Sequence, residues 1–453
     1  MFAVTLPPSA AHDPVRYAQR AQKAGANLLE VRGDRTPEIE RFDSPLPLIV
    51  ALRGGDPHLI DRLHPAYVDV ELQESVDLPA GISIIRSFHD YERTPDFEHC
   101  KTIADELRAT NADIIKIVTT INSYRDITTL QKLHAYLPEN QKRVILGMGT
   151  RAHMLRMLSP LRNAITYTYL DEGEAAADGQ VPLHMYQQTA QCRNPRIFGI
   201  LGNLDIQSQS PLIHNTFFHA RNMDALFTTF LTDDLDDAWN FITTNAVEGL
   251  AVTSPWKQKI LPYLQGVDPL AQDLQSVNTV VAENGAYRGY NKDVDGFRDG
   301  YSFVKNAEFV SILGSGGVVP AIIHACRELD IQNICLYARN ADARKKLQEH
   351  FGMQTAEISA VRESAPDVLI CTINADVSVE LPQAKKGACA IDVRYGKRTH
   401  FATDAAAAGY TVHDGIPMLM HQAIAQSTLF TGKKPNADVV NRIQHFLTSP
   451  LQS

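Results

Sequence analysis

The sequence predicts an α/β protein: an N-terminal (β/α)8 barrel abbreviated on one side, then a small α/β substrate domain and a doubly wound nucleotide-binding domain. Three observations predict it. Eight short apolar runs, mostly separated by helical patterns, fill the chain to residue 170. A polar, proline-containing stretch, QTAQCRNPR at 188–196, then breaks the pattern. Finally, a strand, a glycine turn and a helix open a second parallel series at 309–329. At 453 residues the chain exceeds what one core holds, and about 150 residues per domain gives roughly three.

The barrel begins with FAVTL at 2–6, a helix over 13–24 and NLLEVR at 27–32. It continues through PLIVALR (47–53), YVDVEL (67–72), GISIIRSFH (81–89), ADIIKIVTT (112–120), RVILGMG (143–149) and AITYTYL (164–170). Strands joined through helices pair in parallel, and eight of them close a barrel. The gaps after the third and fourth strands, 13 and 8 residues, are too short for full crossover helices. Past the break, strands are expected near 197–201, 226–231, 249–253 and 277–281. FVSILGSGGVVPAIIHACREL then starts a nucleotide-binding sheet with further strands near 333–338, 367–371, 388–393 and 410–413. The expected boundaries are 1–190, 196–305 and 306–424, with C-terminal helices over about 425–453 packing back on the middle domain.

Composition excludes some classes. A net charge of -9 without a basic tail argues against a nucleic-acid partner. No apolar run approaches the roughly 20 residues that span a bilayer. The N-terminus MFAVTLPPSAAHDP lacks a basic, then apolar, leader, so the chain is expected to be cytoplasmic and complete from its first strand. None of the six cysteines forms a C-x-x-C pair; buried free thiols are expected, with no disulfide framework and no metal.

Polar residues cluster where barrel strands end, the position that carries chemistry in this architecture. Glu30 and Arg32 alternate on the second strand, Arg53 ends the third, His89 ends the fifth, and Arg156 and Gln180 follow the seventh and eighth. Lys116, inside ADIIKIVTT, is the anomaly. Unpaired burial drives an amine neutral, and a neutral amine in a closed pocket forms imines with ketones; the alternative is that Lys116 pairs with Glu30 or snorkels. The arginines are either barrel-end ion-pair partners or a cationic pocket for a small carboxylated ketone.

These residues resemble the type I 3-dehydroquinate dehydratases over the first roughly 190 positions. The resemblance runs through E-x-R-x-D at Glu30, Arg32 and Asp34, Arg53 with Gly54 and Gly55, SFHD at Ser87–Asp90, the DIIKI strand, GMGTRAHMLR from Gly147 to Arg156, and the GQ of Gly179 and Gln180. It implies that Lys116 forms a Schiff base with 3-dehydroquinate and His89 shuttles protons. It also implies that Arg156 binds the carboxylate, Glu30 orients, and Arg32 and Gln180 contact hydroxyls or carboxylate, giving 3-dehydroshikimate. The chain departs from the family pattern by reading AADGQ where a serine and a proline are usual, and by lacking the glutamate usual just before the glycine pair.

In the second half, the turn from Gly314 through Ser315, Gly316 and Gly317 to Val318 lies between an apolar strand and an apolar helix. There a pyrophosphate can meet backbone N–H groups. Arg339 ends the next strand, where an acid would favour the unphosphorylated cofactor; an arginine favours NADP. SQSP carries Ser208 and Ser210, TSPWK carries Thr253 and Lys257, SVNT carries Asn278, and GYNKDVDGF carries Asp293. Adjacent in space, Lys257 and Asp293 can handle the proton of an alcohol; apart, they are solvated charges.

In order, these motifs, with His214 and Asn215, Asp392 and Tyr395, and Gly415, Met418, Leu419 and Gln422, resemble the shikimate dehydrogenases from about 196 to the end. The resemblance makes Lys257 and Asp293 the catalytic pair. It assigns Ser208, Ser210, Thr253, Asn278, Tyr395 and Gln422 to shikimate and Met418 to the nicotinamide side. Lys292 stands where a threonine is usual, and Ala338 where an asparagine is. The expected function is bifunctional: Schiff-base dehydration, then reversible NADPH-dependent reduction to shikimate, by a monomer or homodimer with only small-molecule partners. The competing expectations are a shikimate or quinate dehydrogenase on a weakened or purely structural barrel, and an NADP-binding scaffold without chemistry.

Overall fold

The computed structural model describes residues 1–396 and 398–448. The chain forms two compact units, Met1–Val247 and the part from Glu248 onward.

The first unit opens with eight parallel strands: β1 (Phe2–Thr5), β2 (Leu28–Arg32), β3 (Leu48–Ala51), β4 (Tyr67–Glu71), β5 (Ser83–Asp90), β6 (Ile114–Thr120), β7 (Arg143–Met148) and β8 (Thr166–Thr168). Their order, β7-β6-β5-β4-β3-β2-β1-β8, is that of a barrel. At the seam between β7 and β8 a side chain substitutes for a ladder. Asn163 accepts from the Ile145 N–H at 3.0 Å and donates to the Ile145 carbonyl at 3.1 Å, and the Ala164 N–H reaches the Arg143 carbonyl at 2.9 Å. One side is abbreviated as the gap lengths require: a six-residue helix, His58–Leu63, separates β3 from β4, and no helix separates β4 from β5.

Strand periodicity divides the barrel core. Val4, Leu29, Val31, Val50, Val68 and Val70 pack with the helix Pro14–Lys23, whose first turn is capped by Asp13 and whose buried face is Tyr17, Ala18 and Ala21. The alternate residues Leu28, Ile49, Ile85, Ile114, Val118, Val144 and Tyr167 form a separate cluster. By the same alternation Glu30, Asp69, His89 and Lys116 share that second face, so the interior is apolar toward one end and charged toward the other.

Beyond the barrel, β9 (Arg196–Gly202) and β10 (Ala225–Leu231) pair in parallel along seven residues each, with the helix Ser210–His219 between them in sequence and Leu235–Thr244 after them. Asn215 bonds to both backbone groups of Phe227 (2.9 and 2.8 Å), and the buried His214 ring stacks on Phe227 at 4.3 Å. The HN pair therefore docks that helix onto β10.

The second unit contains β11 (Gly249–Val252), β12 (Gly266–Val267), β13 (Thr279–Glu283) and β14 (Ala286–Tyr290). β13 and β14 form an antiparallel hairpin that the sequence reading passed over. Its signal was Asn284-Gly285, both at positive φ (52° and 80°), the pair that a two-residue hairpin turn demands. A six-stranded parallel sheet follows, built from β15 (Val310–Leu313), β16 (Ile334–Tyr337), β17 (Gln354–Ala356), β18 (Val368–Cys371), β19 (Cys389–Asp392) and β20 (Thr411–His413). Its order, β17-β16-β15-β18-β19-β20, reverses direction at β15, the doubly wound arrangement expected. The three-residue strand β17 was not foreseen.

The helix Ile416–Thr431 packs against the helix Asp293–Gly300. Glycines permit the approach. A Cβ at Gly296 would lie 2.8 Å from the Gln422 Cβ, and one at Gly300 2.9 Å from the Pro417 backbone. The expected C-terminal helical region thus begins at Ile416, breaks at Gly432 and resumes as Ala437–Thr448; its last expected residues, 449–453, lie outside the described part. All six cysteines are buried and unpaired. Among the described residues no helix is long and apolar enough to cross a membrane.

Candidate active sites

The barrel gathers a charged cluster around Lys116. The ammonium, 4% exposed, donates to Asp69 Oδ2 at 2.7 Å and lies 4.0 Å from the centroid of the Tyr167 ring. Its partner is therefore Asp69 of β4, and the pairing with Glu30 that the sequence left open is not formed; Glu30 instead accepts from Thr5 Oγ1 at 2.5 Å. Burial pulls the Lys116 pKa below its ordinary value, with Asp69 opposing. Burial would raise the Asp69 pKa, but Lys116 and Arg53 outweigh it and hold the carboxyl well below the usual range.

Arg53 stands at the end of β3 with φ of 53°, an uncommon conformation for a long side chain. Its guanidinium reaches Asp69 at 3.4 Å and lies against both Glu71 and His89. Gly55 makes the turn possible, since a Cβ there would sit 2.8 Å from the Leu52 carbonyl oxygen. His89 Nδ1 is 2.7 Å from Glu71 Oε1 and also faces the Arg53 guanidinium, so one ring nitrogen meets both an acceptor and a donor and the ring is held in place from that side. Burial lowers the His89 pKa to about 4, against the opposing bond to Glu71.

Arg32 pairs with Asp34 at 2.7 Å. Arg156 is 2% exposed, its Nε donates to the Gly147 carbonyl at 2.7 Å, and among the described residues it makes no ion pair. A buried guanidinium without an acid is costly unless an anion arrives. Gln180 accepts from the Ala176 N–H at 2.7 Å. Gly179 closes against Gly149, whose carbonyl oxygen would meet a Cβ at 2.4 Å, so the GQ loop packs on the loop that leads to Arg156. Among the described residues, neither Arg156 nor Gln180 hydrogen-bonds directly to the Lys116 cluster.

The sequence reading missed Asp69, Glu71 and Tyr167. The signal for the first two was present: YVDVEL places two acids at alternate positions of an otherwise apolar strand, as ADIIKIVTT places its lysine.

Farther along the first unit, Ser210 begins its helix almost fully buried, and its N–H donates to Ser208 Oγ at 3.1 Å.

In the second unit, Lys257 Nζ lies 2.5 Å from Asp293 Oδ2, and the other Asp293 oxygen accepts from Asn278 Nδ2 at 2.8 Å. The same amide is 3.5 Å from Gln422 Oε1, brought there by the glycine-cleared helix crossing. Thr253 opens the segment between β11 and the helix Trp256–Lys259, part-buried. Lys292, at the unusual position, turns to Asp295 at 3.2 Å. Tyr395 follows β19, half-exposed, and Met418 packs among Val294, Phe297 and Ile312.

Gly314 adopts φ of 103°, and a Cβ there would strike Thr372 Oγ1 at 2.6 Å. Gly316 and Gly317 face open space before the helix Val319–Glu328, with Ser315 and Val318 beside them. That cradle fits a pyrophosphate. Arg339 is exposed just beyond β16, and the Ala338 carbonyl accepts from Arg344.

Residues 58–194 match the family model for type I 3-dehydroquinase, and residues 200–280 match that for the shikimate dehydrogenase substrate binding domain. The chain joins a type I 3-dehydroquinase domain to a shikimate dehydrogenase domain. One relative spans both parts: the chloroplastic bifunctional 3-dehydroquinate dehydratase/shikimate dehydrogenase of Arabidopsis thaliana, 25% identical over 91% of this chain and 79% of its own length. The shikimate dehydrogenase (NADP(+)) of Bacillus cereus is 28% identical over 55% of this chain and 97% of its own. Among solved structures, shikimate dehydrogenase from Aquifex aeolicus (TM-score 0.50, 26% identity) and quinate dehydrogenase from Corynebacterium glutamicum in complex with NAD (TM-score 0.51, 26% identity) resemble the chain. They cover 55% and 56% of it and 97% and 99% of their own lengths.

The histidines of the dehydroquinase domain make a pH prediction. Burial, the largest cause in each case, lowers His89, His134 and His153 to about 4, whereas an unfolded histidine titrates near 6.5. Between those values the unfolded chain binds protons that the folded chain refuses, so stability is lost as pH falls from about 6.5 toward 4. The melting temperature is expected to drop steadily from pH 7 to pH 5. His134→Gln, remote from the site, should make that slope shallower; an identical slope in the variant would refute the assignment.

Proposed function

We propose that the chain dehydrates 3-dehydroquinate to 3-dehydroshikimate in the barrel and reduces that product reversibly to shikimate with NADPH in its second half. The observation that carries the reading is the lysine on the barrel's inner face, held among Asp69, Arg53, His89 and Glu71. A purely supporting barrel has no use for a buried ammonium whose desolvation costs several kcal/mol.

In this reading Lys116 adds to the substrate ketone, and water leaves to give a protonated imine. Asp69 stays the counter-ion of that nitrogen from ammonium to iminium, so no buried charge is stranded as the bond forms. The iminium draws electrons from the adjacent C–H bond, His89 takes that proton, and the imidazolium returns a proton to the departing hydroxyl. Hydrolysis of the imine frees the lysine. Arg156 binds the substrate carboxylate, Glu30 orients, and Arg32 and Gln180 contact the remaining oxygens.

In the second activity a bound nicotinamide would supply or accept hydride; Lys257, with Asp293, gives the carbonyl oxygen its proton or takes it back. Ser208, Ser210, Thr253, Asn278, Tyr395 and Gln422 hold the carboxylate and hydroxyls, and Met418 borders the nicotinamide. The turn Gly314–Val318 holds the pyrophosphate, and Arg339 pairs with the ribose phosphate, which selects NADP. The functional division is 1–190, 196–305 with the C-terminal helices, and 306–424. The protein acts in the cytoplasm as a monomer or homodimer on small molecules alone.

Purified protein given 3-dehydroquinate and NADPH is expected to form shikimate without another enzyme, with 3-dehydroshikimate passing through as intermediate, both read by mass spectrometry. Consumption of 3-dehydroshikimate but not of 3-dehydroquinate would leave a dehydrogenase on a structural barrel.

A further inference from the structure

The short helix that carries Arg156 is fastened to a strand outside the barrel. The turn Thr150–Ala152 and the helix His153–Met157 pack on β10. His153 Nδ1 lies 2.8 Å from Thr228 Oγ1, and the Thr229 N–H points to the same nitrogen at 3.4 Å. A backbone N–H can only donate, so Nδ1 is the acceptor, the Thr228 hydroxyl donates to it, and the ring proton is on Nε2. Arg151, two residues earlier, pairs with Asp233 just after β10; that carboxylate is 68% exposed, so the pair contributes little by itself. The helix Tyr124–Tyr136 is tied to the same region, Tyr124 Oη donating to the Leu231 carbonyl at 3.1 Å and its N–H to Asp237 Oδ2 at 2.6 Å.

His153 and Arg156 are three residues apart, neighbours on the surface of one helical turn. Among the described residues of the barrel, the Arg156 side chain has only the Gly147 carbonyl as a hydrogen-bond partner. We propose that Thr228, a residue of the chain beyond the barrel, is a positioning residue for the dehydration step: through His153 it sets the helix that aims Arg156 at the substrate carboxylate. This rests on the reading of Arg156 as the carboxylate ligand. The dehydratase is then incomplete as a bare barrel, because the fused segment holds one wall of its substrate site.

The test uses the full chain and measures steady-state dehydration of 3-dehydroquinate, shikimate oxidation and melting temperature side by side. Loss of one hydrogen bond in Thr228→Val is expected to raise the dehydratase KM about 3- to 10-fold with kcat nearly unchanged. His153→Leu, which leaves β10 untouched, should raise it equally, and the double variant should be no worse than either. Thr228→Ser, which keeps the hydroxyl, should return KM to the wild-type value. The KM for shikimate should not move in any of them. A wild-type dehydratase KM in both single variants overturns the proposal, as does a parallel decline of both activities with melting temperature. A wild type that dehydrates nothing would instead bring down the functional reading of the barrel, a result distinguishable from either.

Discussion

Lys116→Ala is expected to lower dehydration of 3-dehydroquinate by roughly 10⁵-fold, the lower end of the advantage that an attached, oriented nucleophile holds over one in solution. It should also abolish the adduct that borohydride traps between the wild-type protein and its substrate, read by intact mass, while shikimate oxidation continues at its normal rate. The size of the effect follows from the environment. An exposed lysine is protonated at neutral pH and solvated; Lys116 is buried against the Tyr167 ring, and among the described residues its only anionic contact within hydrogen-bond distance is Asp69. Folding has to be checked beside activity, since removing one partner of a buried pair costs about 3–5 kcal/mol when the other is left alone. Here Arg53 remains 3.4 Å from Asp69 as a second counter-ion, so the variant should lose less and stay folded. The same mass increment at the same yield in the folded variant would move the imine to another amine and sink the assignment.

Lys257→Ala and Asp293→Asn are each expected to reduce kcat for shikimate oxidation by roughly 10²–10⁴-fold, the range for a positioned proton-transfer group, with dehydration of 3-dehydroquinate untouched. The two side chains share a bond of 2.5 Å, and Asn278 occupies the other carboxylate oxygen. Lys257 therefore faces a partner whose own freedom is already taken up, and an alcohol oxygen beside the ammonium exchanges its proton with a held group rather than with bulk water. The double variant should fall no further than the worse single one, because the residues act as one unit. Two independent losses that multiply would separate them into different roles, and a kcat within about threefold of wild type in Lys257→Ala would dismiss proton transfer by this residue.

Several features of both sites were open to reading from local sequence. Lysine in ADIIKIVTT and histidine at the end of GISIIRSFH lie on the inner face by period-two alternation alone. Gly314 marks its turn because no other residue takes φ of 103° so near Thr372. Gly296 lies within GYNKDVDGF, but its physical use, clearing the crossing with the helix Ile416–Thr431, is visible only in the packed structure. The hairpin at Asn284-Gly285 was legible from its turn residues, although no helix separates its two strands.

By itself the sequence determined the eight barrel strands, the abbreviated side of the barrel, the placing of the lysine and histidine on strands, and the glycine cradle, since each follows from local periodicity, loop length or backbone sterics. Only the tertiary structure decided that Lys116 meets Asp69, 47 residues away, rather than Glu30, and that Gln422 meets Asn278 across 144 residues. It alone decided that Arg156 has no acidic partner among the described residues and that its helix leans on Thr228. Alternation says which face a side chain occupies. Which carboxylate on that face comes within 3 Å of the ammonium depends on how the strands stagger around the barrel, and that stagger is settled by packing between segments far apart in the chain.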